Sequence, residues 1–374
     1  MTNAAVLTIR AGAHIEGRKN PTESPAALIF LPDSKINAVG TAGSPIVFTS
    51  DQPEGSKLAG DWGGVQLNGR GPVNCDNDSC DAEGIEARHL RRHRDERLER
   101  HRSLPPHRVR RPDPGSRQRA QRLHDERHRS RYAIDHIHAH MGLDDAFEWF
   151  GGNVSTSFML GSGGADDGLD WQIGTQGAHQ FLAYLQYGGN LDPNTSNGWE
   201  GDNNEENFVA DPISQPHFCN VTVVGAKGQP GGNQPAHGLL GRRGTQFKIS
   251  HSVITNWNTA GVQLRDAQTM NYACNPGPTL TGNTLLQNSV FFGNTANATD
   301  NAASCPTPGV CNCTTTEWFG LQTGNVTDES CNPIDATSAC DPTSTLCLPT
   351  PAAACLGGKP ANCTSIDSSF VNTT

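Results

Sequence analysis

The chain has 374 residues, with 41 Gly and 24 Pro, 34% hydrophobic residues, 6% aromatics and a formal net charge of −10. So many helix breakers argue against a helical bundle and for a turn-rich all-β protein. No apolar run reaches the roughly 18 residues that a transmembrane helix needs, and the opening Met1-Thr2-Asn3-Ala4-Ala5-Val6 lacks the basic and apolar regions of a signal peptide.

Residues 1–86 read as short strands separated by Gly turns. Leu7 to Ile9, Ala26 to Leu31, Lys35 to Gly40, Pro45 to Ser50 and Gly64 to Leu67 carry Val, Ile, Phe and Thr at strand-like density. No amphipathic helix separates them, which argues against a βαβ architecture. Short repeated strands suit stacked β-coils, in which each turn covers the next.

Residues 87–132 break this pattern. Residues 87–131 hold 16 Arg and no Lys against 6 Asp/Glu, a local charge of +10. The remaining residues hold 12 Lys+Arg against 32 Asp+Glu, a charge of −20. Only Leu90, Leu98, Leu104, Val109 and Leu123 offer apolar surface, too little for a core. Two explanations compete. One is a basic arm for nucleic acid or another polyanion. The other is that the segment is translated out of frame. Codon degeneracy allows Arg117 to Tyr132 to be encoded so that a one-base shift reads DNELNGFTMNGIGRGT, and the same shift from His107 to Arg111 allows IEFAG. The shifted text is punctuated by Gly and Asn, like its flanks. We expect a frameshift restored near Ala133, a segment without ordered structure, and no nucleic-acid partner.

Residues 133–292 return to coil-like text and contain a repeat. Gly142-Leu143-Asp144-Asp145-Ala146-Phe147-Glu148-Trp149 recurs 22 residues later as Gly164-Ala165-Asp166-Asp167-Gly168-Leu169-Asp170-Trp171. Further strands are expected at Gln246 to Ile254 and Leu285 to Phe292, each followed by an Asn-containing turn. Residues 293–374 read as a Cys-rich, loop-rich extension. Ten of the 12 cysteines lie from Cys219 onward. Their even number and Gly/Pro-rich setting suggest disulfides formed in an oxidising compartment. Zinc is the alternative, but Cys311-Asn312-Cys313 is too tight for a knuckle and no His follows at ligand spacing.

Several blocks together carry a family resemblance. They are Gly40 to Ser50, Gly60-Asp61-Trp62-Gly63-Gly64-Val65-Gln66-Leu67-Asn68-Gly69, Asp135-His136-Ile137-His138, Leu143-Asp144-Asp145, Phe150-Gly151-Gly152 and Glu200-Gly201-Asp202-Asn203-Asn204. They resemble a bacterial family of secreted or lipid-anchored right-handed parallel β-helix proteins of uncharacterised role. The resemblance spans about residues 5–85 and 133–292, and members are also similar to the shifted text. It implies an all-β, right-handed parallel β-helix, an extracellular or outer-membrane-surface address and a secretion signal that this chain lacks, so a truncated N-terminus is expected. It implies no catalytic residues.

The acidic loops are the candidate binding residues: Asp144, Asp145 and Glu148; Asp166, Asp167 and Asp170; and Asp202 within the run from Glu200 to Glu206. With a 22-residue register, Asp144 stacks beside Asp166 and Asp145 beside Asp167, about 5 Å apart. Carboxylates that close repel and raise each other's pKa. Ca²⁺ would relieve this, since it takes about 6–8 oxygen ligands. The alternative is turn chemistry, with Asp capping corner amides. Trp149, Trp171 and Trp199 are candidate platforms for stacking sugar rings; the alternative places such rings in the coil interior. On a regular strand, His136, His138 and His140 would share one face and could bind Zn²⁺ or Cu²⁺. No G-x-S-x-G, HExxH or phosphate loop occurs. The sequence therefore points to a surface β-helix, structural or binding glycans or cell-envelope components, with Ca²⁺ as a stabiliser. A polysaccharide-active lyase or hydrolase is the alternative, and polyanion binding through the basic segment a lesser one.

Overall fold

The computed structural model describes residues 5–18, 25–75, 79–81, 89–91, 134–192, 196–301, 310–327 and 329. Of the basic segment only residues 89–91 are described, in a short strand, against the expectation of no ordered structure there; the rest of the segment and the far C-terminal residues lie outside the described residues, and the expectations for them with these.

The N-terminal part forms β1 (Val6–Ile9), β2 (His14–Gly17), β3 (Leu28–Phe30), β4 (Lys35–Ala38), β5 (Val47–Ser50) and β6 (Val65–Leu67). They pair in parallel as β1 with β4, β2 with β5 and β3 with β6. Each strand therefore meets the strand three places later, as expected when successive coils lie one on another. Two short strands follow, β7 (Ser79–Asp81) and β8 (His89–Arg91), which pair antiparallel.

The main stack alternates two kinds of strand. Long ones are β9 (Ile134–His140), β11 (Thr156–Ser162), β13 (Ala178–Leu185) and β15 (His217–Val224). Short ones are β10 (Phe147–Phe150), β12 (Leu169–Gln172), β14 (Trp199–Gly201), β16 (His237–Gly241) and β19 (Ala260–Leu264). After β15 the long strand divides into β17 (Phe247–Ser250) and β18 (Val253–Thr255), then into β22 (Thr284–Gln287) and β23 (Val290–Phe292). The short strands stack in parallel as one sheet and the long ones as another. A small antiparallel pair, β20 (Cys274–Asn275) with β21 (Thr279–Leu280), a 3-10 turn (Gly188–Asn190) and two α-helices, α1 (Ala267–Ala273) and α2 (Thr315–Leu321), complete the described elements. This is a parallel β-helix, and the expected all-β solenoid is the observed fold.

The expected 22-residue register is present: Phe147, Glu148 and Trp149 lie opposite Leu169, Asp170 and Trp171. Later coils are longer because loops are inserted between the same strands.

A corner interrupts every long strand. His136, Phe158, Phe181, Asn220, His251 and Asn288 all have left-handed backbone, with φ between 51° and 59°. Each occupies the gap in the pairing between its flanking residues, so the six stack in one line. Phe158 stacks on His136 and on Phe181, with ring centroids 4.8 and 5.1 Å apart. The left-handed residue reverses the alternation of faces expected for a regular strand. His136 is therefore turned away from His138 and His140, and the expected three-His face is not formed.

The interior is aromatic. Trp171, Trp199, Trp257, Trp318, Tyr184, Phe218, Phe247 and Phe291 are fully buried. Space for them comes from glycines in the facing strands. A Cβ on Gly201 would lie 2.1 Å from Trp171 Cζ2, so only Gly allows the indole to lie flat there. Stacking also continues past Phe292. Trp318 of α2 is fully buried and donates from Nε1 to Thr284 O at 3.0 Å, and Val290 bridges to Val326. The first part of the expected extension thus closes the end of the solenoid. Thr314 caps α2 in a capping box with Glu317.

The expected disulfides are present as Cys75–Cys80 and Cys274–Cys313, and Cys219 and Cys311 are also disulfide-bonded. The Cys274–Cys313 bridge ties α2 and its loop to the coil end across 39 residues. Closing a loop of that length stabilises by roughly 4 kcal/mol on chain-entropy grounds. The Cys274→Ala/Cys313→Ala variant should unfold at lower denaturant concentration by about 2–4 kcal/mol, read from equilibrium denaturation. Gly201→Ala should cost about 1–3 kcal/mol by overpacking against Trp171; an unchanged midpoint would mean the indole is not confined.

Candidate functional site

The short-strand sheet positions the acidic residues. On β10, β12 and β14, Trp149, Trp171 and Gly201 share one register row and Glu148, Asp170 and Glu200 the next. Alternation sends these rows to opposite faces. The aromatic row fills the interior and the carboxyl row lines the outer face of the sheet.

At the corner preceding these strands, side-chain oxygens accept backbone N–H groups from coil to coil. Asp145 Oδ1 accepts from Asp167 N at 2.8 Å, and Asp167 Oδ1 accepts from Asn197 N at 2.5 Å. Asn197 Oδ1 then accepts from His237 N at 3.0 Å. The steps span 22, 30 and 40 residues, so the ladder keeps register through coils of different length. Asp167 is buried and its position in the ladder is that of a corner residue. Although expected among the metal ligands, it lies in neither cluster of convergent ligand atoms.

Two such clusters form among the described residues. Asp144, Asp145 and Asp166 offer carboxyl oxygens within 4.8 Å of one another, and so do Asp145, Glu148 and Asp170. Asp145 belongs to both. The second cluster is the more enclosed. Asp170 is only 8% exposed, and its Oδ1 is buried without a hydrogen-bond partner. Glu148 Oε1 accepts from Gln172 Nε2 at 2.9 Å. Burial, reinforced by Glu148 and Asp144, pushes the Asp145 carboxyl up to about 9. Burial, then Asp145 and Glu148, holds Asp170 well above the usual carboxylate range. Asp167 is raised as well, by burial and then by Glu200 and Asp145.

Beside this cluster the acids are neutralised by arginine. Gly201 lies opposite Gly241, which sets Asp202 beside Arg242. Arg242 Nε donates to Asp202 at 2.9 Å, and its Nη2 pairs with Glu200. Arg243 Nη1 donates to Asp202 Oδ2 at 2.5 Å and its Nη2 lies 3.4 Å from Glu205. Asp202 was expected as a cation ligand; two guanidinium groups already occupy it, so it is corrected to an ion-pair partner. Glu200 is raised to about 7, burial outweighing the attraction of Arg242. Arg265, held below its usual value by burial and by Arg242, donates to Gln263 Oε1 at 2.8 Å.

The tryptophans take other places. Trp171 donates from Nε1 to Thr245 Oγ1 at 2.9 Å inside the coil, and Trp199 is equally buried. Neither ring can lie against a sugar, which corrects both as platforms. Trp149 is half-buried, against His179 at 4.4 Å and Phe218 at 6.0 Å between ring centroids. The arginine pairing was missed from sequence alone. Its only signal is that Gly241-Arg242-Arg243 and Gly201-Asp202 occupy the same register, which spacing hides because a 40-residue offset separates them.

An outer row of crowded, buried carboxyls with an unpartnered oxygen can take up a hard cation. The folded-state pKa of Asp145 lies above the unfolded value, so its stabilising contribution is full below about pH 4 and declines as pH rises toward about 9. The buried His179, His217 and His237 are depressed to about 3, 4 and 4, so above pH 7 they are neutral in both states. In chelator, stability should therefore fall between pH 7 and 9, by up to about 1.4 kcal/mol per pH unit for each carboxyl kept protonated by the fold. Melting temperatures flat across that range would contradict the burial of these acids.

A family model described as a pectate-lyase-like beta helix domain matches residues 1–88 and 130–330. No curated protein and no solved structure matches the chain.

Proposed function

The chain belongs to the pectate-lyase-like β-helix domain family, and from that membership and the outer carboxyl row we propose that it is an exported, calcium-stabilised β-helix protein that binds acidic polysaccharide at the bacterial surface. The observation that carries the reading is the cluster of Asp145, Glu148 and Asp170, with Asp170 Oδ1 buried and unpartnered. Ca²⁺ there would satisfy that oxygen, deprotonate the raised carboxyls and take remaining ligands from solvent or a sugar carboxylate. Asp144 and Asp166 extend the acidic surface beside it. Arg243, about one-third exposed, offers a donor for an anionic glycan alongside the ion.

Disulfides support an oxidising address. Among the described residues no helix is long and apolar enough to cross a membrane. The family match leaves out residues 89–129, within the segment that composition sets apart. That supports the out-of-frame reading of residues 87–132 over a nucleic-acid-binding arm. Sequencing the source DNA across codons 80–135 should show compensating single-base insertions or deletions; an intact frame would restore polyanion binding as a contender.

A second reading, polysaccharide cleavage, rests on Glu200, raised to about 7 and adjacent in register to Asp170. Such a pair could supply an acid and a base. Glu200 is 7% exposed, however, and tied to Arg242, which favours binding over turnover.

Two measurements test the binding reading. In chelator, Asp170→Asn should melt above the wild type at pH 8, because the fold no longer has to hold a buried carboxyl above its ordinary pKa; added Ca²⁺ should raise the wild type and leave the variant unmoved. Equal Ca²⁺ responses would overturn the site. Retardation in gels cast with polygalacturonate or alginate should require Ca²⁺ and weaken in Arg243→Ala. New reducing ends or unsaturated products from these polymers would favour the enzyme.

A further inference from the structure

A second cluster of ligand-bearing side chains lies on β9, away from the acidic row. His138 and His140 are two residues apart beyond the left-handed corner, so they share a face. Both point at one atom of the next coil. His138 Nε2 lies 2.8 Å from Ser162 Oγ and His140 Nδ1 lies 2.9 Å from the same oxygen. Register explains the convergence, because Ser162 pairs with His140 and Leu160 with His138. The ring centroids are 5.4 Å apart. Ser162 is fully buried and forms the floor, while both imidazoles remain exposed. Burial excludes Ser162 as a nucleophile for any substrate larger than water.

A serine hydroxyl has one proton and can donate it to only one of the two rings. The other ring must donate in return, so this network holds only with the rings in unlike roles. Two ring nitrogens aimed at one point, with a hydroxyl oxygen behind them and solvent in front, also form a partial coordination set. We propose that His138, His140 and Ser162 form a binding site for a late first-row transition-metal ion, Cu²⁺ above Zn²⁺. The ion would bond Nε2 of His138 and Nδ1 of His140, with Ser162 Oγ beside it and water completing the sphere.

Several features fit such an ion. Next in sequence to His140, Met141 sets its thioether against the face of Gly163, where a Cβ would meet Sδ at 2.6 Å and the Tyr187 ring at 2.6 Å. The Tyr187 ring stands edge-on to His140 at 6.2 Å. The surroundings are thus imidazole, hydroxyl and thioether beside an aromatic ring, and the two His belong to neither acidic cluster. That donor set suits copper or zinc and is a poor match for Ca²⁺. His136 stays outside the site, because the left-handed corner turns it onto Phe158 and its Nδ1 faces Asp135 at 2.7 Å.

The test uses the full chain stripped with chelator and titrated calorimetrically with Cu²⁺, then with Zn²⁺. One site is expected. His138→Ala and His140→Ala should each weaken Cu²⁺ binding at least about tenfold. His136→Ala and Asp170→Asn should leave it unchanged, and excess Ca²⁺ should not compete, which separates this site from the acidic row. Electron paramagnetic resonance of the wild-type Cu²⁺ complex should show coupling to two nitrogens, a readout that does not depend on a variant folding. Absence of Cu²⁺ uptake, or uptake undiminished in the His138→Ala/His140→Ala double variant, would overturn the proposal.

Discussion

Parallel stacking in register places every side chain about 4.8 Å from its counterpart in the next coil. The rest of the structure depends on that spacing. For aromatic residues it is favourable: Trp171 packs against Phe218 and Phe247, and the glycine opposite leaves room for the indole. At corners it is also favourable, because a carboxyl or amide oxygen reaches the next coil's N–H, as from Asp145 to Asp167 and on to Asn197 and His237. On the outer face it is unfavourable for like charges. Glu148, Asp170 and Glu200 are brought together by the same register that fills the interior.

The outer row meets this conflict in two ways. At the C-terminal side of the stack, the row gains arginine: Arg242 bridges Glu200 and Asp202, and Arg243 pairs with Asp202 and Glu205. At the N-terminal side no guanidinium pairs with the row among the described residues, and burial with neighbouring carboxylates holds Asp145 and Asp170 above the usual carboxylate range. Replacing a shared cation by buried acids kept neutral costs stability as pH rises, and restoring the cation reverses that cost. The proposed calcium stabilisation would follow from where the arginine pairs stop.

The repeat from Gly142 to Trp149 and Gly164 to Trp171 made the fold and its first register legible from sequence, because these two coils carry no inserted loop. Cysteine distribution likewise signalled the disulfides. Register was lost where loops lengthen the coils, so the pairing of Asp202 with Arg242 could not be read from spacing. Alternation also misled at one point. A strand reading of His136 to His140 puts three imidazoles on one face, but a non-glycine left-handed residue at each corner has no sequence signature here, being His, Phe or Asn in turn. Trp171 and Trp199 illustrate a third limit: an aromatic beside an acid reads as a surface platform until the facing glycines are known.

Anomalous diffraction from crystals grown with Mn²⁺, which accepts the same oxygen ligands as calcium, would show whether the acidic row holds a cation. A cation site there places a peak within coordination distance of carboxyl oxygens of Asp145, Glu148 and Asp170. Clear density for those carboxyls with no peak among them, at Mn²⁺ concentrations that occupy other sites, would contradict it.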